Sequence, residues 1–97
     1  MDELTGFQRD LLYCIAAIEE PYGLEIKREL EEYLSIDVNH GRLYPNLDQL
    51  VEGGLLKKEK KDDRTNLYPL TPLAKELFAE RREWENKMLQ AGGIGLN

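Results

Sequence analysis

The sequence predicts a mainly α-helical fold with one small β-hairpin and a long closing helix. Three observations predict it. Three amphipathic segments at helical spacing come first, each with its own start or stop signal. A hairpin pattern follows between Leu55 and Leu70. Thr71-Pro72 then opens a fourth helical stretch. The chain of 97 residues has room for one small domain and its core, not for a multidomain enzyme.

The elements follow in order. Thr5 and Gln8 form a capping-box pattern, and Phe7, Leu11, Cys14, Ile15 and Ile18 recur behind it at helical spacing. They predict a first helix of about fourteen residues, ended before Glu19-Glu20-Pro21. Cys14 lies on the apolar stripe, which suits a core thiol, and nothing in the pattern places a base beside it. After the Pro21-Tyr22-Gly23 turn, Leu24, Ile26, Leu30, Tyr33 and Leu34 mark a second helix whose outer face carries Glu25, Glu29, Glu31 and Glu32. Asn39 can cap a third helix with Leu43, Leu47, Leu50 and Val51 on its buried side, stopped by Gly53-Gly54. Pro45 lacks an N–H and crowds the preceding turn, so it is expected to fall in the first turn or to bend it slightly; regular helix is expected from nearer Arg42 than Asn39. Leu55–Lys60 and Thr65–Leu70 read as two strands around the turn Lys61-Asp62-Asp63-Arg64. Tyr68 and Leu70 share one face. The fourth helix is expected to run to about Gln90, with Leu77, Trp84 and Ala91 spaced by seven, as are Ala74, Arg81 and Met88, a spacing that suits packing along another helix. Residues 91–97 contain too much glycine to hold a helix and are expected to form a loose tail.

The formal net charge is −6, which at first argues against a polyanionic partner, but the charge is unevenly spread. Residues 1–38 hold ten acidic side chains against three basic ones, residues 39–70 hold six basic against five acidic, and residues 71–97 balance. Any polyanion would therefore meet residues 39–70. The plainer reading of Lys57–Lys61 is a solvated strand edge protected against aggregation. No apolar run approaches the roughly 20 residues needed to span a bilayer, and the start lacks the basic and apolar regions of a signal peptide. A soluble cytoplasmic protein that does not meet a membrane is expected. The acidity also suits a salt-rich cytoplasm such as that of halophilic archaea, without deciding the origin.

Three helices, a hairpin and a closing helix follow the plan of a winged helix-turn-helix, in which the third helix enters the major groove and the hairpin, or wing, reaches along the backbone. The start of the third helix offers Asn39, His40, Arg42, Tyr44 and Asn46. Arg42 could read guanine through a bidentate pair and Asn46 could read adenine. The wing offers Lys58, Lys60, Lys61 and Arg64 for phosphate, with Lys57 and Lys58 on opposite strand faces so that one of the two serves. Asp62 and Asp63 at the tip oppose phosphate. Each site has a plainer alternative: His40 reads equally well as solvated, and Tyr44 as covering the core edge.

The run Asn39-His40-Gly41-Arg42-Leu43-Tyr44-Pro45-Asn46-Leu47, then Leu50, then Glu52-Gly53-Gly54-Leu55, resembles the PadR family of transcriptional regulators. So does the wing ending Tyr68-Pro69-Leu70-Thr71. The resemblance covers about residues 7–85. It departs from the family pattern at Pro69, which makes its strand an edge there, and at Pro72-Leu73-Ala74, where a glycine is usual. The resemblance implies a DNA-binding repressor of the smaller subgroup: a homodimer through the carboxy-terminal helix on an inverted-repeat operator. It also implies release, in some members, by a small aromatic or drug-like effector.

The division that follows is a winged helix-turn-helix over residues 1–71, a dimerisation helix over 72–90 and a tail over 91–97. Leu73, Leu77, Arg81, Trp84 and Met88 are the dimerisation candidates, with Trp84 read either as an aromatic anchor at the seam or as a stacking surface for the effector. The alternative to DNA binding is a protein-binding winged-helix adaptor or antirepressor that uses the acidic second helix. An enzyme is not expected. There is no phosphate loop, no serine or cysteine nucleophile paired with the single histidine and no metal-ligand cluster, so neither a cofactor nor a metal is called for.

Overall fold

Thr5 and Gln8 start the first helix by the reciprocal bonds their spacing predicts: the Gln8 amide donates to Thr5 Oγ1 at 3.1 Å and the Thr5 amide to Gln8 Oε1 at 3.3 Å. The computed structural model describes residues 1–95. α1, Gly6–Ala16, is eleven residues long, shorter than the expected fourteen. The reason lies beyond it. Pro21 and Tyr22 are drawn into extended pairing with the wing, the Tyr68 amide donating to the Pro21 carbonyl at 2.8 Å and Tyr22 bridging Leu67. The chain spends residues 17–20 turning from helix into that strand-like segment, and a residue before proline avoids helical geometry in any case.

α2, Gly23–Leu34, ends on Ser35 in the left-handed conformation and buries Gly23, Ile26 and Leu30. The link to the next helix is held by Glu31, which accepts from the Val38 amide at 2.8 Å and from Lys27 Nζ at 3.2 Å. These bonds hold the Glu31 carboxyl below its ordinary range, the Val38 amide first and Lys27 second.

α3, His40–Glu52, begins at His40 and not near Arg42, with Asn39 as its cap accepting from the Arg42 amide at 2.8 Å. Pro45 is therefore inside the helix. It cannot donate to the Gly41 carbonyl, yet the helix continues past it; on the neighbouring carbonyl, Arg42, Asn46 Nδ2 adds a side-chain bond at 2.7 Å. Gly54, at φ +78°, supplies the left-handed residue that lets the Leu55 amide close back on the Leu50 carbonyl at 3.0 Å.

The wing is shorter than the strands read from the sequence. β1, Glu59–Lys60, and β2, Asn66–Leu67, pair antiparallel with Glu59 opposite Leu67 and Lys60 opposite Asn66. Toward its base the pairing is carried by an isolated bridge between Leu56 and Leu70, the bond from the Lys57 amide to the Pro69 carbonyl at 2.9 Å and that from the Thr71 amide to the Leu55 carbonyl at 3.1 Å. Pro69 has no amide to extend a regular ladder.

α4, Pro72–Ala91, starts on Thr71, whose hydroxyl accepts from the Ala74 amide and donates to the Gly54 carbonyl at 2.6 Å, fastening the helix to the turn after α3. The core gathers Leu11, Leu12 and Ile15 from α1, Ile26 and Leu30 from α2, Leu43, Leu47 and Leu50 from α3, and Leu55, Leu56 and Tyr68 from the wing. α4 adds Ala74, with Leu77 and Phe78 packed against it; Phe78 meets Tyr13 of α1 at 4.6 Å between ring centres. Beyond Phe78 no described residue of α4 belongs to the core. The helix runs on about 30 Å in all within a molecule 51 Å long. The expected loose tail begins later: Ala91 is helical and the Ile94 amide bonds the Leu89 carbonyl at 2.8 Å. The part of that expectation at residues 96–97 lies outside the described residues.

Candidate nucleic-acid interface

The buried leucines of α3 leave its first two turns facing outward. Asn39, His40 and Arg42 are exposed, while Tyr44 and Asn46 are half-buried. One turn apart, the His40 and Tyr44 rings stack with their planes within 6° and centres 5.4 Å apart. Tyr44 reaches across to α2, where its hydroxyl abuts the Gly23 backbone. Tyr44 thus does both things its position allows, covering the core edge with one face and keeping part of its ring outside.

Arg42 lies with its guanidinium carbon 3.9 Å from the centre of the Phe7 ring. It has no carboxylate within ion-pair distance among the described residues. A guanidinium on the face of an aromatic ring keeps its in-plane N–H donors available. Asn46 is placed differently. Its Nδ2 donates to the Arg42 carbonyl and its Oδ1 accepts from Gln8 Nε2 at 3.1 Å. Gln8 also donates to Gln49 Oε1 at 2.8 Å and is 8% exposed. Phe7 and Gln8, neighbours on α1, therefore hold three residues of α3. The sequence reading used both only to start α1 and missed these contacts, because the partners lie 35 to 41 positions away.

The wing is less free than its composition suggests. Lys58 Nζ lies 3.4 Å from Asp48, Lys60 Nζ 3.6 Å from Asp63, and Lys61 Nζ 3.2 Å from Glu20. Lys57 and Lys58 are both exposed. Asp62 turns its carboxylate inward to accept from the Arg64 amide at 2.8 Å, and this bond lowers its carboxyl below the ordinary range. Arg64 is exposed and, like Arg42, has no carboxylate partner among the described residues. It stands on the rim of a cleft between α2, α3 and the wing, walled by Tyr22, Tyr44 and Tyr68.

The dimerisation candidates occupy α4. Leu73, Trp84 and Met88 are 46%, 50% and 43% exposed. Leu77 and Arg81 are half-buried: Leu77 packs on this chain's own core, and Arg81 bonds Glu85 at 3.4 Å with its guanidinium carbon 4.6 Å from the Trp84 ring centre. No helix of the described residues is long and apolar enough to cross a membrane.

Comparison with known proteins agrees with this arrangement. Residues 11–80 match the transcriptional regulator PadR-like family. The structure of H. salinarum RosR is similar at 48% identity and a TM-score of 0.84, over 90% of this chain and 78% of that one. A PadR-like transcription factor from Bacteroides fragilis is similar at 26% identity and a TM-score of 0.68, over 91% of this chain and 92% of that one. A winged-helix DNA-binding protein from STIV shares the fold at 22% identity and a TM-score of 0.64, over 90% of this chain and 96% of that one. No curated protein matches the sequence. The family match spans most of the chain and decides between a DNA-binding and a protein-binding winged helix. The chain belongs to the PadR-like family of transcriptional regulators, winged-helix DNA-binding proteins and not enzymes.

Proposed function

We propose that the protein is a repressor that binds an inverted-repeat operator as a homodimer, with the start of α3 in the major groove and the wing on the flanking backbone. The observation that carries this reading is Arg42. It is exposed at the start of α3, held on the face of Phe7, and without a carboxylate partner among the described residues. A bidentate pair with guanine uses the donors such a guanidinium keeps. His40 and Asn39 stand beside it at the cap, within reach of phosphate, and the His40–Tyr44 stack presents a ring edge to the groove. Arg64 is the principal wing contact, with Lys58, Lys60 and Lys61 contributing as they exchange carboxylates for phosphates.

Residues 1–71 form the DNA-binding unit in this reading and 72–90 the dimerisation helix. Exposed Leu73, Trp84 and Met88, with Leu77 and Arg81 at their margin, form the seam. Two-fold pairing presents two α3 helices to half-sites about one helical turn apart. A small aromatic effector fits the tyrosine-walled cleft between α2, α3 and the wing, where it would press on Tyr44. The test is binding to the promoter region of the protein's own gene, with stoichiometry read by sedimentation. Two chains per operator and reduced transcription on binding are expected; one chain per site, or increased transcription, would overturn the reading.

A further inference from the structure

Phe7 and Gln8 stand side by side at the start of α1, a helix with no place of its own in the DNA interface just described. Each nevertheless grips one candidate base-reading side chain of α3. Phe7 lies under the Arg42 guanidinium at 3.9 Å. Gln8 is buried and donates to Asn46 Oδ1 at 3.1 Å and to Gln49 Oε1 at 2.8 Å, while its own oxygen accepts from the Thr5 amide.

These contacts act in opposite directions. A ring beneath a guanidinium restricts a long, flexible side chain without using its hydrogen-bond donors, so less rotamer entropy is lost when Arg42 meets a base. An amide is different. Reading adenine takes the donor and the acceptor of the same Asn side chain together, in the plane of its amide. In Asn46 each already makes one bond within the fold, Nδ2 to the Arg42 carbonyl and Oδ1 from Gln8. These bonds fix that plane and leave one site at each end. Turning the amide toward a base would leave a buried Gln8 donor one partner short and remove the side-chain bond to the Arg42 carbonyl.

We propose that Phe7 is a positioning residue that orients Arg42 for base recognition, and that Gln8 fixes Asn46 as a strut of α3, so that base discrimination rests on Arg42 and not on Asn46. This rests on the reading of α3 as the recognition helix.

Selection from a library of duplex DNA with a randomised core, using the full-length chain, tests it. Wild type should enrich a motif containing a strongly preferred G·C pair. Phe7→Leu keeps the apolar volume but removes the ring face, and should lower the preference at that pair by about tenfold while binding to unrelated duplex stays within about twofold. Phe7→Tyr should restore the preference. Asn46→Ala should leave the order of base preferences unchanged even where it lowers overall affinity. Thermal melts show which variants are folded, and Phe7→Met takes the place of Phe7→Leu if the latter melts out. A wild-type protein that enriches no motif removes the recognition-helix reading and this proposal with it. With a wild-type motif in hand, the proposal alone is overturned by an unchanged motif in folded Phe7→Leu or Phe7→Met, or by loss of an A·T preference in Asn46→Ala.

Discussion

The backbone of Gly23 lies directly against the Tyr44 hydroxyl, so that a methyl group added at Gly23 would overlap the phenol oxygen. This contact locks the first turn of α2 to the second turn of α3 and sets the spacing between the two helices of the DNA-binding motif. Alanine is otherwise the better helix former, yet Gly23→Ala should destabilise the fold by about 1–3 kcal/mol through overpacking. Adding Tyr44→Phe removes the colliding oxygen and should recover about half of that loss. Denaturant unfolding of the two single variants and the double variant reads the coupling; independent, additive effects would contradict it.

Gln8 ties α1 to α3 through Asn46 and Gln49. Gln8→Leu has a similar size but leaves those two amides without their partner, and breaks the capping box as well. A loss of about 1–3 kcal/mol is expected, seen as a lower urea midpoint at unchanged slope.

Three wing lysines already face carboxylates, which they must give up to bind phosphate. Affinity should therefore fall less than about a hundredfold between about 50 and 200 mM salt, well short of the fall for a protein making 6–10 phosphate contacts. Arg64→Ala should weaken binding more than Lys60→Ala or Lys61→Ala and, counted over both subunits of the proposed dimer, lower the salt slope by about two. Fluorescence anisotropy at several salt concentrations measures both.

Glu31 accepts the Val38 amide and the Lys27 ammonium more strongly as a carboxylate than as an acid, and its pKa is lowered in the folded state. Its stabilisation is therefore complete above the ordinary glutamate range and is lost as the pH falls through the folded value. Wild type should lose stability over that interval more steeply than Glu31→Gln, which lacks the charge throughout. Thermal melts from neutral to strongly acidic pH compare them.

Trp84 and Met88 leave the core-packed part of α4 with about half of each side chain in water. In the proposed dimer Trp84→Ala should raise the dissociation constant by more than about tenfold while leaving the winged part folded. Sedimentation equilibrium measures the first effect and circular dichroism the second.

How much of this the sequence discloses depends on the distance over which each feature is encoded. Thr5 with Gln8 and Thr71 with Pro72 start their helices where the local pattern places them, because a cap is made within four residues. The leucines of α3 are buried as their spacing requires. Features made between distant segments were not legible. Tyr22 beside a proline reads as a turn, and only the presence of β2 makes it extended. Arg42 and Asn46 have the same standing on a helical wheel, yet Phe7 and Gln8 give them different surroundings. Pro45 reads as belonging to the helix start or bending it, because its missing bond is costly inside; α3 nevertheless begins at His40 and carries it internally, which the local pattern does not show. The wing's basic composition is plain in the sequence, but its pairing with Asp48 and Glu20 comes only from the fold.

The central claim is that α3 reads DNA through the face carrying Arg42. Its most direct measurement is the affinity of wild type, Arg42→Ala and Tyr44→Ala for the native promoter duplex and for a scrambled duplex of the same length, at one salt concentration. The account predicts that Arg42→Ala loses about tenfold or more on the promoter duplex and little on the scrambled one, with Tyr44→Ala weaker than wild type on the promoter as well. Promoter binding by both variants as tight as wild type would contradict it.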